Sequence, residues 1–311
     1  MRQYLLASSI IAAATFTSHQ AEASLIAPTF NNTNCSAVTL TSIATLGAPG
    51  ANLLSQSYNA SQCIGFIGPN PSHNDDPYNF DVDNPTTNIG YLGDGLLNGG
   101  LHQGKQYFDG SEFIDVPGDY QDLKTPGVYV DPGWIHLTHF DANTKQWTYS
   151  NAGTGIVNPA LNIADLLTFS IDCAPSNPNS LGNLGDCKSG TWQLTTKTDI
   201  IQQVVALLGP ATFDHLAFSI KAGPSFVVYD FNFKDIFGAE NNPLLNFSTP
   251  YILGGTFNTS DMRNAGISHM NVFARDPQDP NRIPAPATLL MFGLGLVFLS
   301  AKSQLAKLFK K

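Results

Sequence analysis

The chain of 311 residues has a formal net charge of −9, and only 13% of its residues are charged. This composition argues against a nucleic-acid partner, because phosphate binding needs clustered lysine and arginine. The 27 glycines and 20 prolines favour short strands and turns over helices.

The first 23 residues have the features of a secretory signal peptide. Arg2 precedes a largely apolar segment from Leu5 to Phe16, and Ala21 and Ala23 form the small-x-small pattern of a cleavage site. We therefore predict cleavage after Ala23 and export of the protein. An uncleaved N-terminal anchor is the alternative.

The four cysteines predict two disulfides, because an exported chain enters an oxidising compartment. Three connectivities are possible, and we favour the near pairs Cys35–Cys63 and Cys173–Cys187. The second pair would close the loop 174–186, which is rich in proline, asparagine and glycine. Zinc binding is disfavoured, because the sequence contains no C-x-x-C.

After the signal peptide, the sequence predicts strands at 36–46 and 62–67. A loop-rich segment follows from Asn70 to Gly110, with short strands predicted at 89–92 and 96–101. The loop contains four closely spaced aspartates that are weak candidates for a calcium site, namely Asp75, Asp76, Asp81 and Asp83. A known calcium loop needs D-x-[DN]-x-[DN]-G and a distal glutamate, and the pattern here ends at Pro85. A solvated loop is the alternative.

The segment 127–140 predicts a strand with a turn or bulge at 131–133, and 146–149 predicts its partner. His136 and His139 form H-x-x-H on this strand. Odd spacing on a regular strand places two side chains on opposite faces, so we expect no shared metal.

Further strands are predicted at 166–171 and 191–195, and a helix at 199–208. In the helix, Ile200, Ile201, Val204, Val205 and Leu208 share one apolar face. Thr198 or Asp199 caps its start, and Gly209-Pro210 ends it.

A hairpin is predicted around 221–224, with arms that alternate over 216–220 and 227–233. This alternation predicts one buried face and one wetter face. Strands at 251–257 and 267–273 complete the body. The sequence therefore predicts a mostly β protein, an antiparallel β-sandwich of jelly-roll type with one short amphipathic helix.

Motifs for catalysis are lacking in the sequence. It contains no G-x-S-x-G and no H-E-x-x-H, so we predict a protein that is not an enzyme and has no cofactor. Paired carboxylates for glycoside cleavage stay as a remote alternative, because such pairs assemble from distant residues.

Carbohydrate binding is the main rival function, because exposed aromatic rings on a sandwich stack on sugars. The candidates are Trp134, Trp147, Trp192 and Tyr149. Packing of these rings within the core or across strands is the alternative.

The C-terminal region is organised as a linker, an apolar run and a basic tail. Residues 275–282 form the linker, and 287–301 carry no charge and predict a transmembrane helix. The tail contributes the basic residues Lys302, Lys307, Lys310 and Lys311. Positive flanks remain cytoplasmic, which places the body outside.

Removing both ends changes the charge of the protein. Five basic residues and no acidic ones lie from Arg282 onward, and Arg2 and Glu22 cancel in the signal peptide. The exported segment 24–281 therefore carries −14. An acidic body of this kind suits solubility.

The C-terminal pattern resembles the PEP-CTERM sorting signal of bacterial exported proteins. Pro284, Ala285 and Pro286 precede the apolar helix and the lysines, although the family has glutamate where Ala285 stands and usually clusters arginines at its end. The resemblance covers 282–311. It implies recognition by an exosortase-type membrane enzyme with cleavage near Pro284–Pro286; a plain membrane anchor is the alternative.

These features predict four segments: a signal peptide at 1–23, a body at 24–274, the linker, and the sorting signal at 283–311. By resemblance, we expect a structural or adhesive protein of the cell surface or extracellular matrix, with extracellular polysaccharide as a partner. A carbohydrate- or calcium-binding module is the alternative.

Overall fold

The computed structural model describes residues 34–66, 96–98, 101–102, 105–106, 108, 111–114, 120, 132–142, 144–150, 162–174, 187–208, 213–223 and 225–275. This part of the chain forms thirteen strands and two α-helices. The strands are β1 (Val38–Thr45), β2 (Tyr58–Asn59), β3 (Gln62–Phe66), β4 (Leu101–His102), β5 (Lys105–Gln106), β6 (Trp134–Asp141), β7 (Gln146–Tyr149), β8 (Leu167–Cys173), β9 (Ser189–Thr196), β10 (His215–Ala222), β11 (Ser225–Asn232), β12 (Tyr251–Asn258) and β13 (Ile267–Arg275). The helices are α1 (Ile200–Leu208) and α2 (Phe233–Glu240).

Two large antiparallel sheets dominate the structure. A five-stranded sheet has the order β2-β1-β12-β9-β8, and a six-stranded sheet has the order β3-β11-β10-β13-β6-β7. A separate two-stranded sheet joins β4 and β5. The prediction of a mostly β, antiparallel protein is confirmed.

The main core contains apolar side chains from both large sheets. The five-stranded sheet contributes, for example, Leu40 and Leu253, and the six-stranded sheet contributes Phe218 and Val227. The predicted β10–β11 hairpin is confirmed, with Ile220 opposite Val227 and Gly223 in its turn at φ 59°. Glycine suits this left-handed position because it has no Cβ.

The prediction of a wetter outer face on this hairpin is wrong. Ala217, Phe226 and Val228, on the face away from the main core, are also buried. They belong to a second apolar cluster that includes Leu97, Phe108 and Phe113. Nearly every position of the two strands is therefore buried.

Trp192 on β9 links the two sheets at the centre of the main core. Its ring lies 4.8 Å from that of Phe218 and 6.2 Å from that of Phe231, both on the six-stranded sheet. The indole N–H donates to the carbonyl oxygen of Thr39 at 3.1 Å. To reach Thr39 on β1, the indole ring passes over Gly255 on β12, the residue that pairs with Trp192. Glycine leaves space for the ring at this position because it has no side chain.

One disulfide and one hydrogen-bonded tyrosine link the two sheets at opposite sides. Cys35 precedes β1 and bonds Cys63 on the edge strand β3, with a Cα–Cα distance of 5.3 Å. On the other side, the Tyr149 hydroxyl on β7 accepts from the amide of Phe169 on β8 at 2.9 Å. This contact satisfies an amide of an edge strand.

The second disulfide joins Cys173 at the end of β8 to Cys187 just before β9, so it closes the base of their connection. Both predicted cysteine pairs are therefore confirmed. In the chain-entropy picture, separations of 14 and 28 residues correspond to about 3 and about 3.5 kcal/mol of stabilisation.

The predicted helix is present as α1, whereas α2 was not predicted. Asn232 ends β11 and caps α2, because its side-chain oxygen accepts from the amides of Lys234 and Asp235. The strand β11 therefore ends at Asn232, one residue before the predicted end of this arm at Phe233. Asn241 ends the helix in the left-handed conformation.

The strand piece predicted at 96–101 is also wrong in part, because Leu96–Asn98 forms a 3-10 turn before β4. Asn98 anchors this turn by accepting from the Trp134 amide at 3.0 Å and donating to its carbonyl at 2.7 Å. The piece at 89–92 lies outside the described residues.

No helix within the described ranges is long and apolar enough to cross a membrane. The predicted transmembrane helix at 287–301, the signal peptide at 1–23 and residues 276–282 of the predicted linker lie outside these ranges. The predicted start of the linker at Arg275 is wrong, because Arg275 ends β13 and is buried.

Replacing Gly255 with alanine tests the packing of Trp192. The added Cβ would lie 2.5 Å from Cε2 and Nε1 of Trp192 and would collide with the Thr39 carbonyl. Because overpacking and a displaced indole hydrogen bond combine, we expect Gly255→Ala to lower the free energy of unfolding by about 3 kcal/mol in urea denaturation.

Gly254→Ala is the matched control in the same strand. Its Cβ would lie 2.7 Å from the Ser42 hydroxyl, which can rotate away, and in ordinary contact with the Trp192 carbonyl at 3.8 Å. Equal losses of stability in the two variants would contradict the proposed role of Gly255.

Candidate functional site

Most residues of the predicted sites lie outside the described part of the chain. These are Ala21, Ala23, Asp75, Asp76, Asp81, Asp83, Pro284, Ala285, Pro286, Lys302, Lys307, Lys310 and Lys311. Among the described residues, no group of three or more His, Cys, Asp and Glu side chains is arranged to hold a metal ion. The calcium hypothesis therefore stays a prediction about the aspartate loop.

The aromatic candidates for sugar stacking pack inside the protein. Trp134 and Trp192 are only 1% and 2% exposed. Trp147 is half-buried, with its ring 4.9 Å from Phe140 and 4.8 Å from Phe169. Tyr149 is half-buried and engaged with the Phe169 backbone. These four side chains therefore do not form an exposed sugar-stacking platform.

The expectation that His136 and His139 occupy opposite faces is wrong. On β13, Asn271 lies opposite His139 and Phe273 lies opposite His136. One residue separates these two positions on β13, whereas two residues separate the histidines on β6. This bulge at Leu137 and Thr138 shifts the alternation by one residue. Both imidazoles consequently reach the same Asn271 side-chain oxygen, at 3.1 Å and 2.8 Å.

His136 lies in a fully buried polar site. Its Nε2 faces the Asn271 oxygen, and its Nδ1 lies 2.6 Å from the Ser150 hydroxyl. With that oxygen as acceptor, Nε2 donates, so Nδ1 of the neutral ring accepts from Ser150. Burial lowers the pKa of His136 to about 4, although its hydrogen bonds with the Asn271 side chain and the Thr138 backbone act in the opposite direction.

His269 extends this polar row along the outer face of the six-stranded sheet. Its ring stacks on His139 at 5.6 Å, and its Nε2 lies 3.8 Å from Asp141. Burial, followed by the nearby His139, lowers the pKa of His269 to about 4. We name His136, His139, His269, Ser150 and Asn271 the histidine row.

A second polar group, which the sequence did not predict, surrounds Asp214. We name Asp214, His215, Asp230, Lys234 and Arg275 the ionic cluster. Asp230 Oδ2 lies 2.9 Å from His215 Nδ1, and Arg275 Nη1 lies 3.7 Å from Asp214 Oδ1. Lys234 Nζ lies 2.6 Å from Asp214 Oδ2, although neither oxygen of Asp214 has a well-directed hydrogen bond.

The ionic cluster links strands of the six-stranded sheet to the helix α2 instead of forming an open site. It connects β10, β11, β13 and α2, and Asp214, Asp230 and Arg275 are at most 1% exposed. Burial raises the pKa of Asp230, partly offset by its hydrogen bond to His215. The buried carboxylates and Arg275 are not exposed to solvent, and removing one partner would leave a buried charge uncompensated.

An apolar cavity of about 150 Å³ lies between the two sheets. The five-stranded sheet lines it with Leu194 and Leu253, and the six-stranded sheet with Ile135 and Ala274. Both helices and the segment 246–250 also contribute to its walls. Concave apolar sites of this kind are the usual binding sites for small molecules.

Comparisons with protein families, with characterised proteins and with solved structures found no match to this chain. The functional argument therefore depends on the residues described above and on the C-terminal pattern.

The buried His136 predicts a pH-dependent stability. The pKa of His136 is about 4 in the folded protein, whereas its ordinary value is 6.5. Between pH 4 and pH 6.5 the unfolded chain therefore binds more protons than the folded protein. Stability is therefore full above pH 6.5 and lost as the pH falls toward 4. We expect a loss of about 3 kcal/mol from this residue between pH 7 and pH 4.

Urea denaturation of the wild type and of His136→Gln at both pH values tests this expectation. The variant removes the titrating group, so its stability should fall by about 3 kcal/mol less than that of the wild type. An identical fall in the two proteins would show that His136 does not titrate in this range.

Proposed function

We propose that this chain is an exported protein whose body has a non-enzymatic structural or adhesive role at the cell surface or in an extracellular matrix. The pair of disulfides, Cys35–Cys63 and Cys173–Cys187, is the observation that carries the proposal. Structural disulfides persist in oxidising compartments and are rare in the cytosol. They agree with the signal peptide proposed at 1–23.

The distribution of polar groups supports a scaffold rather than an enzyme. Asp214, Asp230 and Arg275 of the ionic cluster are buried, and His136 of the histidine row has both ring nitrogens engaged within the protein. The two antiparallel sheets are compatible with a jelly-roll-like sandwich, which we propose for the body 24–274. The net charge of −14 on the exported segment 24–281 favours solubility outside the cell.

We propose that the C-terminal segment 283–311 sorts this body to the surface. The apolar helix 287–301 holds the protein in the membrane, and the lysines that follow remain on the cytoplasmic side. By its resemblance to PEP-CTERM signals, an exosortase-type enzyme cleaves near Pro284–Pro286. Extracellular polysaccharide is the partner that the same resemblance implies.

Intact mass of the protein recovered from a bacterial host with an exosortase tests this proposal. We expect the extracellular fraction to contain a chain that begins after Ala23 and ends near Pro284–Pro286. A chain that runs to Lys311 and is confined to the membrane fraction would make the segment a simple anchor.

A matched pair of variants assigns the cleavage to the motif. Replacing Pro284 and Pro286 together with alanine should retain the full-length chain in the membrane, because the recognition pattern is lost. Replacing Pro277 and Pro280 in the same way changes the linker only, so normal processing is expected. Processing that survives the first double substitution would contradict recognition of this motif.

A further inference from the structure

The cavity between the sheets is an apolar space at one end of the main core. Its volume of about 150 Å³ is that of cavities that remain dry and accommodate benzene, so it has room for about six carbon atoms. Well-packed interiors contain few voids larger than a water molecule. Side chains from six strands and both helices converge on this space without filling it.

The polar side chains that line the cavity are committed to other partners. They include His215 of the ionic cluster, whose Nδ1 lies 2.9 Å from Asp230 Oδ2. The Thr196 hydroxyl donates to the Tyr251 carbonyl at 2.8 Å, and the Thr249 hydroxyl donates to the Asn246 side chain at 3.0 Å. The Tyr251 hydroxyl donates to the Leu244 carbonyl at 2.7 Å and accepts from the Asn246 amide at 2.8 Å. The cavity therefore favours an occupant without polar atoms.

One side of the cavity lies close to solvent. Ile201 on α1 and Phe237 on α2 are only half-buried, as are Phe213 and Phe247. The deeper walls, such as Leu194 and Ala274, are buried. The cavity therefore borders solvent on the side lined by the helices, Phe213 and the segment 246–250.

We propose that this cavity binds the alkyl end of an acyl chain, with about six carbons inside and the remainder leaving along the half-buried aromatic side. The half-buried rings of Phe213, Phe237 and Phe247 extend the apolar lining toward solvent. This favours a chain over an isolated ring, because a ring held among the deeper walls would leave these side chains without contact. The polar head of the ligand stays outside, where water solvates it. This inference does not depend on the proposed sorting or surface role.

A series of 1-alkanols from butanol to octanol tests the proposal on the full-length chain in detergent-free lipid nanodiscs, with empty nanodiscs as the partition control. Binding is measured by tryptophan-fluorescence melting and calorimetry. We expect affinity to rise about fourfold per methylene up to hexanol and to level off beyond it. Benzene is the ring-shaped comparison.

Filling the cavity should abolish this binding. Ala274→Leu adds carbon atoms from the six-stranded sheet, and Val204→Phe adds a ring from α1. We expect each to weaken 1-hexanol binding at least tenfold while the melting temperature stays at or above that of the wild type. Ala239→Leu, on the exposed side of α2, is the matched control and should bind as the wild type does.

Three results would overturn the inference. The first is the absence of saturable alkanol binding by the wild type. The second is unchanged binding by whichever cavity-filling variant folds with wild-type stability, because the alkanol would then occupy another site. The third is binding of benzene without binding of hexanol, because the cavity would then be a site for rings and not for alkyl chains.

Discussion

The contact of Trp192 with the opposite sheet is the interaction on which the main core depends. Its ring packs on Phe218 and Phe231 of the six-stranded sheet and lies parallel to Phe169 of its own sheet at 6.1 Å. The same ring spans Gly255 to reach the Thr39 carbonyl, so one residue links three strands of its own sheet with the other sheet. Burial of such a large aromatic surface is a major stabilising contribution.

The two large sheets are linked at their two sides by different kinds of bond. Cys35–Cys63 joins the sheets covalently on one side, and Tyr149 joins β7 to β8 by a hydrogen bond on the other. On the outer face of the six-stranded sheet, the histidine row and the ionic cluster place polar groups among apolar neighbours. His136 and the two aspartates of the ionic cluster are buried, which is why the cavity between the sheets is the stronger candidate for a ligand site.

Local sequence patterns were sufficient for much of this fold. Alternation identified the β10–β11 hairpin, a single apolar face identified α1, and short separations identified both cysteine pairs. The helix α2 was missed because Phe233 continues the alternation of β11, and only the cap at Asn232 signals the change. Asp230, a charged residue within an apolar strand, was the available signal for the ionic cluster.

Features that arise between distant segments could not be predicted in this way. The bulge at Leu137 and Thr138, which places His136 and His139 on one face, depends on the pairing of β6 with β13. The second apolar cluster depends on side chains near residues 97–113 that cover the hairpin. The cavity results from imperfect filling by many elements, so no sequence motif marks it.

The central claim is that this fold is completed outside the cytoplasm by two specific disulfides. Differential alkylation of thiols in intact cells, followed by peptide mapping, tests it most directly. The account predicts that the mature protein contains no free thiol and yields the linked peptides Cys35–Cys63 and Cys173–Cys187. Four alkylated cysteines in the mature protein, or linked peptides with another connectivity, would contradict it.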